Sequence, residues 1–343
     1  MPRFLNTTSG EFEWHNDPSQ VSYAIISHTW RPEDAGGEQS YEDIRKLQTA
    51  VQQLRREAQA STTSSSHPAP IIIDTLQTIF THPDLSEKIK GVCKIAREAG
   101  HELLWLDSCC IDKTSSAELS EAINSMFEWY RLADVCYVYL EDVHEGDNLM
   151  DDRSEFSQSR WHKRGWTLQE LIAPERVVFL SVSWSYLGTR MGLASTLAQI
   201  TGIDFDILTG RATMHSASVA RRMAWAAKRE MTRVEDRAYC LMGIFNIHMS
   251  PIYGEGLNGF LRLQEAIIRT IPDQSVFTWG RSCTLTSVNS SSSFVWRGQS
   301  AAPGLLASCP SHFEGSVFSW QGCNQTRPLD VRPVATAFRK AEQ

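Results

Sequence analysis

The sequence predicts an α/β fold: a parallel sheet with helices on both faces, then a helical region and a partly irregular C-terminal tail. Two observations predict it. Short apolar runs alternate with amphipathic segments up to about residue 190, and beyond that only helical spacing continues until Ser-, Gly- and Pro-rich sequence takes over at residue 282. Strand, helix, strand, helix in that order calls for parallel strands joined by right-handed crossovers. The 343 residues hold one large or two modest domains, and 42% hydrophobic against 21% charged residues marks a globular chain, not a disordered one.

Tyr23–Ser27 (YAIIS) is a short apolar run that stops at His28-Thr29-Trp30, as a buried strand does on emerging at a sheet edge. After a loop with Pro32, Gly36 and Gly37, Tyr41 to about Gln59 has helical spacing through Ile44, Leu47, Val51 and Leu54. STTSSSHPAP at 61–70 breaks that pattern and reads as a mobile surface insertion. Ile89, Val92, Cys93, Ala96 and Ala99 share one helix face that Gly100 is placed to end, and Leu103–Leu106 is a second strand closing on Asp107. Ser115-Ser116-Ala117-Glu118 forms a capping box for a helix whose apolar face runs through Leu119, Ile123, Met126, Phe127 and Tyr130. Val135–Leu140 and Arg176–Leu180 are the third and fourth strands, separated by a short helix, Thr167–Ile172, that Pro174 stops. Further helices are expected over Leu193–Ile200, Val219–Lys228, Val234–Phe245 and Leu257–Thr270, and strand-like runs at Phe294–Trp296 and Val317–Trp320. The division that follows is 1–190, 191–281 and 282–343.

Charge and composition exclude several function classes. Against 40 Asp and Glu there are 33 Lys and Arg, a formal charge of −7, which offers no basic footprint for a phosphate backbone, so nucleic acid is not the expected partner. The N-terminus lacks a charged stretch leading into an apolar run, and nowhere do about 18 apolar residues follow one another, so neither a secretory leader nor a membrane span is expected. Eight scattered Cys without a CxxC indicate neither a zinc site nor a disulfide scaffold, which fits reduced thiols and a cytoplasmic location. Eleven Trp is the oddity: an indole buries much area but its N–H needs a partner, so the density suggests packed sites with polar handles.

In a doubly wound sheet, ligands bind beyond the carboxyl ends of the strands. The polar residues there fall in three groups expected to converge: Ser27, His28 and Trp30; Asp107, Ser108, Cys109 and Asp112; and Ser159, Arg160 and Trp161 through Trp166 to Glu170.

These same segments carry a resemblance. YAIISHTW (23–30), the block from Trp105 to Val143, SRWHKRGWTLQELIAP (159–174) and TRVEDRAYCLMGIFNIHMSPIYGEG (232–256) resemble the hallmark blocks of the fungal HET, or heterokaryon incompatibility, domain. The last block with LRLQEAIIR is similar to the helical region that commonly follows such domains. The resemblance assigns 1–190 to a HET domain and implies a role in non-self recognition that triggers programmed cell death, with self-association or an upstream sensor as partner. HET domains in turn resemble TIR domains, a flavodoxin-like fold whose enzymatic members cleave NAD with a glutamate in a W-C-x-x-E-L-like motif. Trp166-Thr167-Leu168-Gln169-Glu170-Leu171 is similar, with Thr167 where the motif has Cys. That likeness implies Glu170 as the catalytic carboxylate and NAD as substrate, with no cofactor required. The alternative is a non-catalytic, oligomerising interaction module.

The chemistry of each residue admits both readings. Breaking a nicotinamide–ribose bond develops an oxocarbenium-like sugar, which a carboxylate such as Glu170 stabilises; Trp30, Trp161 or Trp166 can stack on a base and Arg160 or Arg164 can bind pyrophosphate. Equally, Glu170 can form a structural ion pair with Arg160 or Arg164, His28 can anchor a strand end, Asp107 and Asp112 can cap local turns, and Cys109 can be an inert buried thiol. Arg233, Glu235, Asp236 and Arg237 read as an ion-pair network docking the helical part, and Tyr253–Gly256 as a tight turn.

Overall fold

A computed structural model describes residues 2–64, 78–279, 281–282, 297–298 and 306–314. Its frame is a seven-stranded sheet. A hairpin of β1 (Arg3–Asn6) and β2 (Phe12–Trp14) precedes β3 (Tyr23–His28), every residue of which is buried. Helices α1 (Tyr41–Ser64) and α2 (Glu87–Glu98) lead to β4 (Leu103–Trp105), and α3 (Ser116–Leu132) leads to β5 (Val135–Tyr139). Then come α4 (Glu155–Gln158), a 3-10 turn at Arg160–Lys163, α5 (Thr167–Ile172), β6 (Val177–Leu180) and β7 (Tyr186–Thr189).

The strand order is β2-β1-β4-β3-β5-β6-β7, in which β4, β3, β5 and β6 run parallel while β1, β2 and β7 extend the edges antiparallel. The parallel strands therefore follow the flavodoxin-like order, in which the first strand lies between the second and the third. The edge strands escape sequence reading because three or four residues are too few to show a period of two, and β2 is half exposed throughout.

Alternation along β3 places neighbours on opposite faces of the sheet. Tyr23 donates to the Trp129 carbonyl of α3 and Ser27 to Glu170 of α5, whereas His28 meets Lys88 of α2. Trp105 of β4 packs its edge on Trp129 and Tyr130, with ring centroids 5.5 and 5.9 Å apart. At the start of α3, Ser115 accepts from the Glu118 amide at 3.3 Å, but the Glu118 carboxylate reaches back to the Asp112 amide (2.8 Å) and to buried Arg3 (3.0 Å), a wider box than the expected one.

Beyond the sheet come α6 (Ala194–Thr201), α7 (Phe205–Leu208), α8 (Val219–Trp225), α9 (Asp236–Tyr239), α10 (Met242–Phe245) and α11 (Asn258–Thr270). The run expected as one helix over 234–245 is two single turns, and Gly243 in the second of them approaches Phe127 so closely that a Cβ would stand 2.1 Å from the Phe127 Cβ. The helical part is riveted to the sheet part by backbone. The Gly165 amide donates to the Glu230 carbonyl (3.1 Å), the Glu230 amide to the Lys163 carbonyl (2.6 Å), and the Asn124 amide group and the Met249 backbone exchange two bonds of 3.2 Å. Of the tail, residues 306–314 lie against this part, Ala307 exchanging bonds of 2.9 and 2.7 Å with buried Gln264. The strand-like runs at Phe294–Trp296 and Val317–Trp320, and 65–70 of the expected insertion, lie outside the described residues.

Candidate functional site

Because Ser27 and His28 point to opposite faces, the residues singled out from the sequence divide into two buried clusters at the carboxyl end of β3. On the α5 face, the Trp161 indole donates to Ser27 Oγ at 2.7 Å, and Ser27 in turn donates to Glu170 Oε2. Glu170 is only 6% exposed. Burial, with the Asp107 charge adding to it, pushes its pKa from near 4.5 up to about 8, against the pull of the Ser27 hydrogen bond and the Arg164 and Arg229 charges. At neutral pH this carboxyl carries a proton.

Arg229, which the sequence reading did not single out, reaches this face from the turn that follows α8. It donates to the Arg164 carbonyl (2.8 Å) and Thr167 Oγ1 (2.9 Å), fixing the first turn of α5, and burial lowers its pKa to about 10. His162, also unanticipated, is buried edge-on against Phe156 and Trp161, and burial, with the Arg229 charge, drives its pKa down to about 3, so it stays neutral. The Trp166 indole donates to Asp236, a partner outside the sheet part.

On the α2 face, Asp107 accepts from His28 Nε2 (3.0 Å) and from the Trp30 indole (2.9 Å). Burial raises the Asp107 pKa, but His28, Lys113 and Trp30 outweigh it and hold it at about 2. Lys113 Nζ stands 3.6 Å over the Trp30 ring, a cation–π contact that occupies one face of the indole. His28 Nδ1 is 3.3 Å from Lys88 Nζ, which also donates to the Thr29 carbonyl (3.2 Å) and to Glu38. An ammonium has only donors, so Nδ1 accepts and the His28 proton lies on Nε2, toward Asp107. Lys88 had a signal in the sequence: it stands four residues before Val92 on the apolar face of α2, a charge where a core residue belongs.

Two of the sequence-selected residues stand apart. Asp112 forms a turn with Thr114, accepting from its amide (2.9 Å) and hydroxyl (2.6 Å). Arg160 is half exposed and faces Glu141 and Asp142 at 4.0 and 3.7 Å. Cys109 is fully buried, and the hydrogen bond its thiol gives to Cys110, together with burial, raises its pKa and keeps it protonated. In the 233–256 block, the Glu235 carboxylate accepts from the Gly254 (2.8 Å) and Gly256 (3.1 Å) amides and Asp236 from the Tyr253 hydroxyl (3.0 Å), so backbone amides, a phenol and an indole hold these acids. A cavity of about 420 Å³ lined by His101, Arg131, Asp134 and Arg176 lies at the opposite, amino-terminal ends of the parallel strands. Among the described residues no group of three or more His, Cys, Asp or Glu is placed to hold a metal ion, and no helix is long and apolar enough to cross a membrane.

Comparison with known proteins agrees with this frame. The family described as heterokaryon incompatibility protein (HET) matches residues 23–154, which contain β3 to β5 and the whole His28–Asp107 cluster, and a domain of unknown function, DUF8212, matches residues 258–338. The chain is a HET-domain protein. It is 40% identical over 250 residues to the vegetative incompatibility protein HET-E-1 of Podospora anserina, an alignment covering 71% of this chain. The chain spans about a sixth of that protein's length, 16%. No solved structure matches the chain significantly.

Proposed function

We propose that the chain is the HET unit of a vegetative-incompatibility response, acting in the cytoplasm to trigger cell death, and that it does so by hydrolysing the nicotinamide–ribose bond of NAD with Glu170 as the carboxylate. The observation that carries the enzymatic reading is the buried, protonated Glu170 at the carboxyl end of the central strand, a perturbed group where α/β sheets bind ligands. The resemblance of Trp166–Leu171 to the TIR motif supports the same residue. A cationic nicotinamide ring beside Glu170 would lower its pKa and draw off the proton, leaving a carboxylate next to the ribose. The N-glycosidic bond then breaks with its electron pair going to the nicotinamide nitrogen. The carboxylate stabilises the oxocarbenium-like sugar, and water adds to it and releases a proton. The chemistry calls on no metal or resident cofactor. Access to Glu170 requires the Ser27–Glu170 contact to part.

A second reading is a non-catalytic module that relays the signal through self-association or an upstream sensor. It is favoured by the enclosure of Glu170 behind Ser27, itself capped by Trp161. Incubating the purified chain with NAD and assaying free nicotinamide separates the two. The enzymatic reading expects release that Glu170→Gln abolishes, and that rises with pH as the free enzyme's Glu170 deprotonates near pH 8. Absence of release leaves the relay reading, and release unaffected by the substitution removes Glu170 from the catalytic role.

A further inference from the structure

The parallel strand order reverses between β3 and β5, and the open carboxyl ends at such a reversal are where sheets of this kind seat ligands. Four charged side chains meet there. Arg31, just past β3, pairs with Glu141, just past β5; Lys88 Nζ rises from α2 to within 3.9 Å of Glu141; and Arg160 faces the same carboxylate at 4.0 Å. Glu141 Oε2 is buried between Lys88 and Arg160 and accepts no hydrogen bond. Next to it, Glu38 Oε1 accepts from the Arg31 backbone amide at 2.9 Å and from Lys88 Nζ, with the Lys88 side chain 1% and the Glu38 side chain 9% exposed. A backbone amide and a buried ammonium converging on one oxygen is how proteins hold an oxyanion.

Glu38 does not come from the sheet. It arrives on the loop between β3 and α1, which passes through Gly36 (φ 94°) and Gly37 (φ 63°), two left-handed residues whose amides donate to the Glu33 (3.1 Å) and Pro32 (2.9 Å) carbonyls, so that the turn is closed on itself and not on the sheet. We propose that Glu38 occupies an oxyanion seat suited to a phosphate or diphosphate group, and that the 32–40 loop is a plug which such a ligand displaces. Glu38 and Glu141 mark two neighbouring anion positions around one buried ammonium, flanked by the Arg31 and Arg160 guanidinia. A diphosphate spans both positions, which a single carboxylate does not. The seat lies on the α2 side, served by the His28 face of β3, and is separate from Glu170.

The test is calorimetric titration of the whole chain with inorganic pyrophosphate and, in parallel, ADP. Glu38→Ala empties the seat and is expected to bind pyrophosphate at least about tenfold more tightly than the unsubstituted chain. Lys88→Met in the Glu38→Ala background is expected to remove that gain. Tighter binding of ADP than of pyrophosphate assigns the seat to a nucleotide, and equal binding to the phosphate groups alone. No gain in Glu38→Ala, or a gain that survives Lys88→Met, overturns the proposal. Should Glu38→Ala lose its cooperative melt, Glu38→Gln, which keeps the volume and removes the charge, carries the same comparison. Nicotinamide release plays no part in the readout, so failure here leaves the Glu170 reading to its own assay.

Discussion

Glu170 folds with a proton that the unfolded chain does not hold at neutral pH, and that has a measurable consequence. Its pKa is raised in the folded state, from near 4.5 to about 8, so its contribution is fully present below pH 4.5 and is lost as pH rises through 8. The loss is on the order of 5 kcal/mol. Thermal melts of the chain and of Glu170→Gln are expected to run closest near pH 4.5 and to separate progressively from there to pH 8, the Gln variant melting relatively higher; parallel curves across that range would show that the Glu170 pKa is not raised. The indoles tell a related story. Trp161, Trp30 and Trp166 give their N–H groups to Ser27, Asp107 and Asp236, so these three supply donors near the strand ends, whereas the buried Trp105 and Trp225 indoles have no hydrogen-bond partner and serve as packing. Trp161→Phe trims the buried indole to a phenyl ring and deletes one bond, and denaturant melts should report a loss of about 2–4 kcal/mol from the bond and the cavity together.

At the scale of elements, α5 is the pivot. It is six residues long, too short to be stable alone, and it is held at its first turn by Arg229 and by the paired backbone of 163–165 and 230. Gly165 leaves room there for the Met231 methyl, which would stand 1.5 Å from a Cβ, and Gly243 lets α10 reach α3. Gly243→Ala is expected to cost about 1–3 kcal/mol in equilibrium unfolding, since the obstacle is the Cβ of Phe127, which a rotamer change cannot move. The four parallel strands and the helices between them were legible because each carries an apolar run or face of sufficient length. The Glu38–Lys88 contact was not, since it joins a loop to a helix across 50 residues and no spacing rule links them. Alternation alone puts Ser27 and His28 on opposite faces of a strand, yet the three strand-end groups were expected to share one crevice; the pleat divides them between two faces.

For the whole molecule, the helical part completes the sheet part. Lys163, Arg164 and Thr167 bond to residues 229 and 230, and Trp166 to Asp236, so cutting the chain at residue 190 would leave buried polar groups without partners. The full chain is expected to unfold in one transition by scanning calorimetry, and a 1–190 fragment to give no cooperative transition of its own. Two independent transitions in the full chain would contradict this. The sequence marked a change of character at about residue 190 but could not show that the two sides exchange main-chain hydrogen bonds.

Ser27 and His28 are consecutive, share one peptide unit, and serve opposite faces of β3. Whatever twists that unit from one side is felt on the other, and thermodynamic linkage makes the effect reciprocal. An anion that loosens His28 by drawing Lys88 toward itself would alter the hold of Ser27 on Glu170. By the same factor, a ligand that parts Ser27 from Glu170 would change the affinity for the anion. The strand is thus the shaft between two sites that never touch, and measuring either affinity with the other site filled would give the size of the coupling.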